Sequence, residues 1–460
     1  MKSKVTEGNI PLELLNLTFP MVCGVFSVLA FSLADTYFVA QIGTNELAAM
    51  SFTFPVVTIL GSVAMGLGTG ASSIIARGIG EGDRQKVQRL TTDSLLLSLL
   101  VVSILASLGL VTIEPLFTSL GATSDLFSLI QDYMSIWYVG MVFLVVPLVG
   151  NSAIRASGNT VVPSIIMTLA AAANIILDPL LIFGWGAIPA LGLQGAALAT
   201  VISRAITLVA SLAFLHFRER LVVFSFPTIQ VMVVSWRKLL SVGFPAVATN
   251  LISPLAVGFI TSLLAKYGAE AVAGFGLASR LEALALIPPL AFSASIAIFV
   301  GQNWGAQKYS RVKRALQLGF WFCLSWGGMV AVLLAATAPE IITWFDGDPE
   351  VVTSATVYLT LVPFSYGALG IILTTSSALN ALGKPLQVLG MSLSRLLFLY
   401  IPLAYVGSWL FGISGIFLAA SLSNGLVGLG AWLWHSRWIN LDFKVISGQL
   451  PSLQKAHRQD

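Results

Sequence analysis

The sequence predicts an all-α integral membrane protein of twelve transmembrane helices, arranged as two pseudo-symmetric six-helix lobes with a central cavity. Three observations carry that expectation. Of the 460 residues, 57% are hydrophobic and only 10% charged, and mean hydropathy is +0.90, which leaves too little polar surface to cover a water-soluble body of this size. The apolar residues gather into runs that meet the roughly 20 residues needed to cross a bilayer. The second half of the chain also repeats the first.

Taken in order, the first run, at about 14–41, is too long for a secretory signal. No small-residue cleavage site follows it and it carries Asp35, so it is expected to persist as the first span. Five more runs lie at about 46–76, 90–112, 126–150, 160–184 and 192–217, and six further ones at about 235–265, 271–302, 314–338, 351–378, 385–410 and 412–436. The net charge of +4 matters less than its placement. Basic residues crowd alternate loops: Lys2 and Lys4, then Arg77, Arg84, Lys86 and Arg89, then Arg155, Arg218 and Arg220. The pattern continues with Arg237, Lys238, Lys308, Arg311, Lys313, Arg314 and Lys384, and with Arg437, Lys444, Lys455 and Arg458 in the tail. The opposite loops hold Lys266 beside acids such as Glu46, Glu114, Asp125, Glu340, Asp346 and Asp348. Both termini are therefore expected to be cytoplasmic, in a bacterial-type inner membrane crossed many times.

Sliding the chain against itself by 225 residues aligns its halves. Leu14–Pro20 overlays Leu239–Pro245, Gly43 meets Gly268, Gly80 meets Gly305, and Gly158 meets Gly383. Past the fifth span the offset falls to 220, where Gly192 meets Gly412. The expected organisation is a lobe over 1–218, a linker over 219–234, a second lobe over 235–438 and a tail over 439–460. Six spans per copy, an even number, give the copies the same membrane orientation, and a cavity between two such lobes suits alternating access.

Charges within spans cost about 2.5–3.5 kcal/mol each on insertion scales. Six stand out: Asp35, Asp178, Arg204, Arg280, Glu282 and Arg395. Asp35 and Asp178 lie equally far from the outer ends of spans 1 and 5, and their repeat counterparts are Ile260 and Leu403, so the acidic pair belongs to lobe one alone. Asn174 precedes Asp178 by one helical turn and shares its face. Pro179 lacks an N–H and Pro20 interrupts span 1 likewise, so both helices are expected to bend there. A carboxylate pair with an amide beside it suits a proton or cation; a structural staple between helices is the bland reading. Arg204 and Arg395 either pair with the lobe-one acids or anchor helices. Arg280 and Glu282, two residues apart, point to different faces, which favours at least one of them facing an aqueous cavity. Asn151 and Arg155 share a face at the inner end of span 4, where Arg155 reads as a membrane anchor.

Leu14–Pro20 opening span 1, Ala34-Asp35-Thr36-Tyr37-Phe38-Val39 at its outer end, Ile75–Gly80 with Glu81-Gly82-Asp83 after span 2, and Asn174–Pro179 in span 5 together resemble the multidrug and toxic compound extrusion (MATE) family, in its DinF-like branch. The resemblance covers roughly residues 10–438. It implies a secondary active efflux transporter that exchanges cytoplasmic cationic or amphipathic drugs for external protons, with Asp35, Asn174, Asp178 and, less directly, Thr200 as the coupling site. Tyr133 and Asn151 resemble further lining of that cavity, and Arg280 and Glu282 are candidates for the substrate path. No enzyme activity, cofactor or metal site is expected; the coupling ion is a proton, with sodium the alternative. Drug-like cations and the bilayer are the expected partners, nucleic acid is not, and a monomer suffices.

A sodium-coupled antiporter of the same fold and a lipid-linked precursor flippase are the nearer alternatives. An intramembrane aspartyl protease would also use two membrane aspartates, and its Gly-x-Gly-Asp signature occurs as Gly80-Glu81-Gly82-Asp83, but in a predicted loop. A passive channel needs no titratable pair. No Gly-Lys-Ser/Thr nucleotide loop is present, which excludes primary pumping by this chain. Cys23 and Cys323 both sit in apolar runs and suggest neither a disulfide nor a metal cluster.

Overall fold

A computed structural model describes residues 4–446 apart from 187–188, 224–227 and 346. Residues 224–227 of the expected linker, Asp346 and the 447–460 part of the expected tail therefore lie outside the described residues. A single turn, α1 (Lys4–Glu7), precedes α2 (Ile10–Ala40), α3 (Thr44–Glu81), α4 (Arg84–Ser119), α5 (Ser124–Ala156), α6 (Val161–Ile182) and α7 (Gly192–Ala213). The chain continues through α8 (Ile229–Leu264), α9 (Ala269–Ala285), α10 (Ile287–Gly305) and α11 (Tyr309–Thr343). It ends with α12 (Pro349–Leu361), α13 (Tyr366–Ala381), α14 (Pro385–Leu393) and α15 (Ile401–Ile446). No strand occurs among the described residues, as befits backbone that finds only its own hydrogen-bond partners in lipid.

Twelve crossings are accounted for. Among the described residues, ten helical stretches are long and apolar enough to span a membrane, and α9 with α10, bent by 46° at Leu286, forms another. The 50-residue stretch Pro385–Trp434 holds two crossings, because Gly412 takes a non-helical conformation (φ 61°, ψ −140°) that turns the chain. Other departures from α geometry are 3-10 turns at Ala265–Tyr267 and Pro363–Ser365 and π-helical segments at Phe214–Arg218 and Ser394–Tyr400. The prolines expected to bend spans 1 and 5 break neither: Pro20 lies inside an uninterrupted α2 and Pro179 inside α6. A bend of 46° falls at Leu286, between α9 and α10.

The helices form two compact units, one of residues 1–7 and 15–251 and the other of 8–14 and 252–460. The boundary thus falls inside α8, and close backbone packing explains why its first half belongs to the first unit. A Cβ on Gly70 would meet the Leu239 carbonyl oxygen at 2.7 Å, and one on Gly66 the Gly243 oxygen at 2.8 Å. Only glycines let α3 and α8 approach so closely, as in the small-residue contacts of membrane helices. In the first unit α5 is the central element, packed against α3, α4 and α7, with Met134, Tyr138 and Met141 almost fully enclosed. Its counterpart in the second unit is the α12–α13 pair, whose Tyr358 and Tyr366 pack with Phe275 and Phe417.

The repeat is visible in the backbone of each unit. Gly158 and Gly383 close corresponding helices in the left-handed region, at φ 95° and 76°. Gly82 (φ 81°) has its counterpart in Gln307 (φ 59°), and Gly192 (φ 54°) in Gly412 (φ 61°). The Gly80–Asp83 stretch proves to be a helix link. Gly82 caps α3, and the Asp83 carboxylate accepts a hydrogen bond from the Lys86 N–H at 3.0 Å as the N-cap of α4. Glu81 pairs with Lys86 at 2.5 Å on the surface.

Candidate functional site

Within the first unit, four helices surround a cavity of about 210 Å³. α2 contributes Asp35 with Phe31 and Ser32 one turn before it, so the carboxyl and the ring share a helix face. α5 contributes Tyr133, Trp137 and Met141 at four-residue spacing, and α7 contributes Thr200 and Arg204, again one turn apart. Met50, Thr53 and Phe54 of α3 complete an aromatic and thioether wall. Gly140 lets α5 and α7 close up, since a Cβ there would lie 2.2 Å from Val201 Cγ2.

Asp35 is 7% exposed and its Oδ1 has no hydrogen-bond partner. Arg204 lines the same cavity with its guanidinium stacked 4.7 Å above the Phe31 ring and its Nε unpartnered. The two charges are close enough to interact, yet among the described residues they form no ion pair within 4.0 Å. Cation–π stacking thus holds the arginine beside the acid without neutralising it by contact.

Asp178 and Asn174 are fully buried on α6, where Asn174 Nδ2 donates to Asp178 Oδ1 at 3.0 Å. Asp178 Oδ2 and Asn174 Oδ1 are left without partners. The Asp178 charge interacts with that of Asp35, and the field of both acts on the buried Tyr133 hydroxyl. Asp35, Thr200 and Tyr133 therefore face the cavity, while Asn174 and Asp178 sit outside its lining as a hydrogen-bonded pair whose charge acts on Asp35. Buried carboxyl oxygens with no donor are uncommon and call for a proton, an ion or water.

The remaining sequence candidates disperse. Asn151 is buried on α5 with an unpartnered Oδ1, away from the cavity lining, and Arg155 donates to Ser152 Oγ at 2.8 Å. Arg280 is exposed on α9. Glu282 accepts a hydrogen bond from Tyr358 inside the second unit. Arg395 pairs with neither lobe-one acid; its Nη1 donates to Asn424 Oδ1 at 2.9 Å. Phe31, Trp137 and Tyr358 escape sequence reading because an aromatic in an apolar run carries no signal beyond hydrophobicity; only the one-turn spacing of Phe31 from Asp35 and of Trp137 from Tyr133 hints at a shared face.

Comparison with known proteins agrees with this architecture. The MatE family model matches twice, at residues 20–180 and 245–406, and the second match starts 245 − 20 = 225 residues after the first. The chain is 42% identical to a FAD transporter of Shewanella oneidensis, over 92% of this chain and 94% of that protein. It is 24% identical to the multidrug export protein MepA of Staphylococcus saprophyticus, over 94% of each. Its fold matches a mutant of the Vibrio cholerae MATE transporter VcmN with a TM-score of 0.90 at 29% identity, covering 95% of this chain and 98% of that one.

Proposed function

The chain belongs to the MatE family of membrane transporters, and from that premise we propose that it is a secondary active exporter driven by protons exchanged at Asp35 and Asp178. The observation that carries the reading is the pair of buried acids in one unit, each with an oxygen that nothing satisfies. A proton attaches covalently to such an oxygen and needs no further ligands. A sodium ion needs several oxygens around it and is opposed by the nearby Arg204 charge.

In this cycle the outward-facing protein takes protons onto Asp35 and Asp178, and the substrate leaves as the site charge changes. After reorientation the protons are lost to the less acidic cytoplasm, in keeping with termini on that side of an inner membrane. Tyr133 and Thr200 supply hydroxyls beside Asp35, Asn174 holds Asp178 in orientation, and the walls of Phe31, Phe54 and Trp137 suit an aromatic amphipathic solute.

Two substrate classes have support. Flavin dinucleotide is favoured by the 42% identity to the Shewanella transporter, against 24% to the drug exporter, and by the guanidinium in an aromatic cavity. The cavity accommodates one ring system of such a molecule, not the whole of it. Drug cations are favoured by the two acids and by the MepA-type relatives. The deciding experiment loads proteoliposomes with FAD or with ethidium and imposes proton and sodium gradients separately. Export under a proton gradient alone is expected. Export that follows the sodium gradient alone defeats the proton assignment, and the solute exported identifies the substrate class.

A further inference from the structure

The second unit lacks counterparts of Asp35 and Asp178, but it contains a polar cluster of its own. Glu282 on α9 accepts a hydrogen bond from the Tyr358 hydroxyl on α12. Arg395 is close enough to interact with Glu282, yet among the described residues the two make no ion pair within 4.0 Å. Its Nη1 is instead given to Asn424, which passes the contact on by donating to Ser365 Oγ at 3.0 Å. Arg395 Nε and the hydroxyl of Tyr366, a residue 1% exposed, have no partner.

In a bilayer, an ionised glutamate and an arginine this near gain most by direct contact, because each alone is costly to bury. An arrangement that commits the guanidinium to an amide and the carboxyl to a phenol is one that accommodates a neutral Glu282. The groups around it fit that reading. Tyr358 comes from α12, Tyr366 from α13, and Arg395 and Tyr400 from the π-helical segment, all within electrostatic reach, while Arg280 on the same helix is exposed.

The backbone converges on the same place. The α9–α10 span bends by 46° four residues after Glu282, and the α12–α13 span takes a 3-10 turn at Pro363–Ser365 beside Tyr366. Arg395 and Tyr400 lie in the π segment Ser394–Tyr400. Broken spans and π segments recur where membrane helices bind ions or change shape.

We propose that the second unit carries its own proton-exchange site, the Glu282 carboxyl, with Arg395 as its internal counter-charge. A proton from water bonds to one carboxylate oxygen on loading and returns to water on release; no other covalent bond changes. With Glu282 neutral, Arg395 stays on Asn424, which in turn holds Ser365. With Glu282 ionised, the carboxylate attracts the guanidinium and loosens that chain of contacts. A metal cation is disfavoured because Arg395 already supplies the positive charge.

The test is infrared difference spectroscopy of the full chain in liposomes, titrated between about pH 5 and pH 8, the range in which a perturbed carboxyl changes charge near neutrality. In the Asp35→Asn/Asp178→Asn variant, a protonated-carboxyl band is expected to titrate still. Adding Glu282→Gln should remove that one band, Glu282→Asp should restore it, and Arg395→Gln should shift its midpoint. A band indifferent to Glu282→Gln, or the absence of any titrating carboxyl in the double variant, overturns the proposal. If the double variant does not fold, the wild-type minus Glu282→Gln difference decides it. The lobe-one reading fails separately, if wild type and the double variant titrate alike.

Discussion

Arg204→Gln removes the positive charge from the lining of the Asp35 cavity while keeping a polar side chain of similar reach. With both acids ionised, Asp35, Asp178 and Arg204 sum to −2 + 1 = −1; with both protonated they sum to +1. The variant changes those sums to −2 and 0. Two unit charges roughly 4–8 Å apart at an effective dielectric constant near 20 interact by about 2–4 kcal/mol. Water in the cavity lowers this, and about 1.4 kcal/mol, a factor of about ten, is a conservative remainder. A cation bound there should therefore bind about tenfold tighter in the variant, whichever acids are protonated, and leave more slowly. A flavin dinucleotide, which is anionic, should bind about tenfold more weakly. Fluorescence anisotropy of ethidium and fluorescence quenching of FAD on purified protein read both affinities, and raising the salt concentration should shrink both shifts. Unchanged affinity for both ligands, or a shift of the same sign for both, would refute the electrostatic argument.

Asp35→Asn and Asp178→Asn should each reduce proton-driven export by at least about a hundredfold while leaving the protein in the membrane; full transport in resistance or vesicle assays by either would end the coupling assignment. Asn174→Leu removes the donor to Asp178 and should cost about 1–3 kcal/mol of stability, read as a fall in the melting temperature of the detergent-solubilised protein. Gly70→Val forces a side chain against the Leu239 carbonyl and Gly243 backbone; overpacking of this kind costs about 1–3 kcal/mol, and a melting temperature equal to wild type would mean that α3 and α8 separate without loss.

The crossings were legible because lipid imposes a length on apolar runs, and the run lengths survive any detail of packing. Helix ends were less so. The apolar run at 90–112 is the middle of a helix that extends over Arg84–Ser119, since backbone hydrogen bonding continues past the membrane into polar residues that hydropathy does not score. The acid pair and Asn174 could be found because charge in a span is conspicuous, and a four-residue spacing fixes a shared face. The 46° bend at Leu286 was hidden: Pro288 and Pro289 lie in the first turn of α10, where proline is tolerated, and they mark a helix start only once the break is known. Tyr358 and Asn424 were hidden for a different reason, being polar groups far apart in sequence whose meaning comes only from the partners that packing brings to them.

The left-handed turn at Gln307 has a use outside transport. Its counterpart after α3 is Gly82, which adopts such a backbone at no steric cost, whereas a residue with a Cβ pays about 1–2 kcal/mol. A duplicated chain thus contains its own reference sequence. Where one copy has drifted to a strained solution, the other preserves the relaxed one, and Gln307→Gly restores it. Reading each copy against its twin yields a short roster of candidate thermostabilising exchanges from a single polypeptide, with no family alignment needed to propose them.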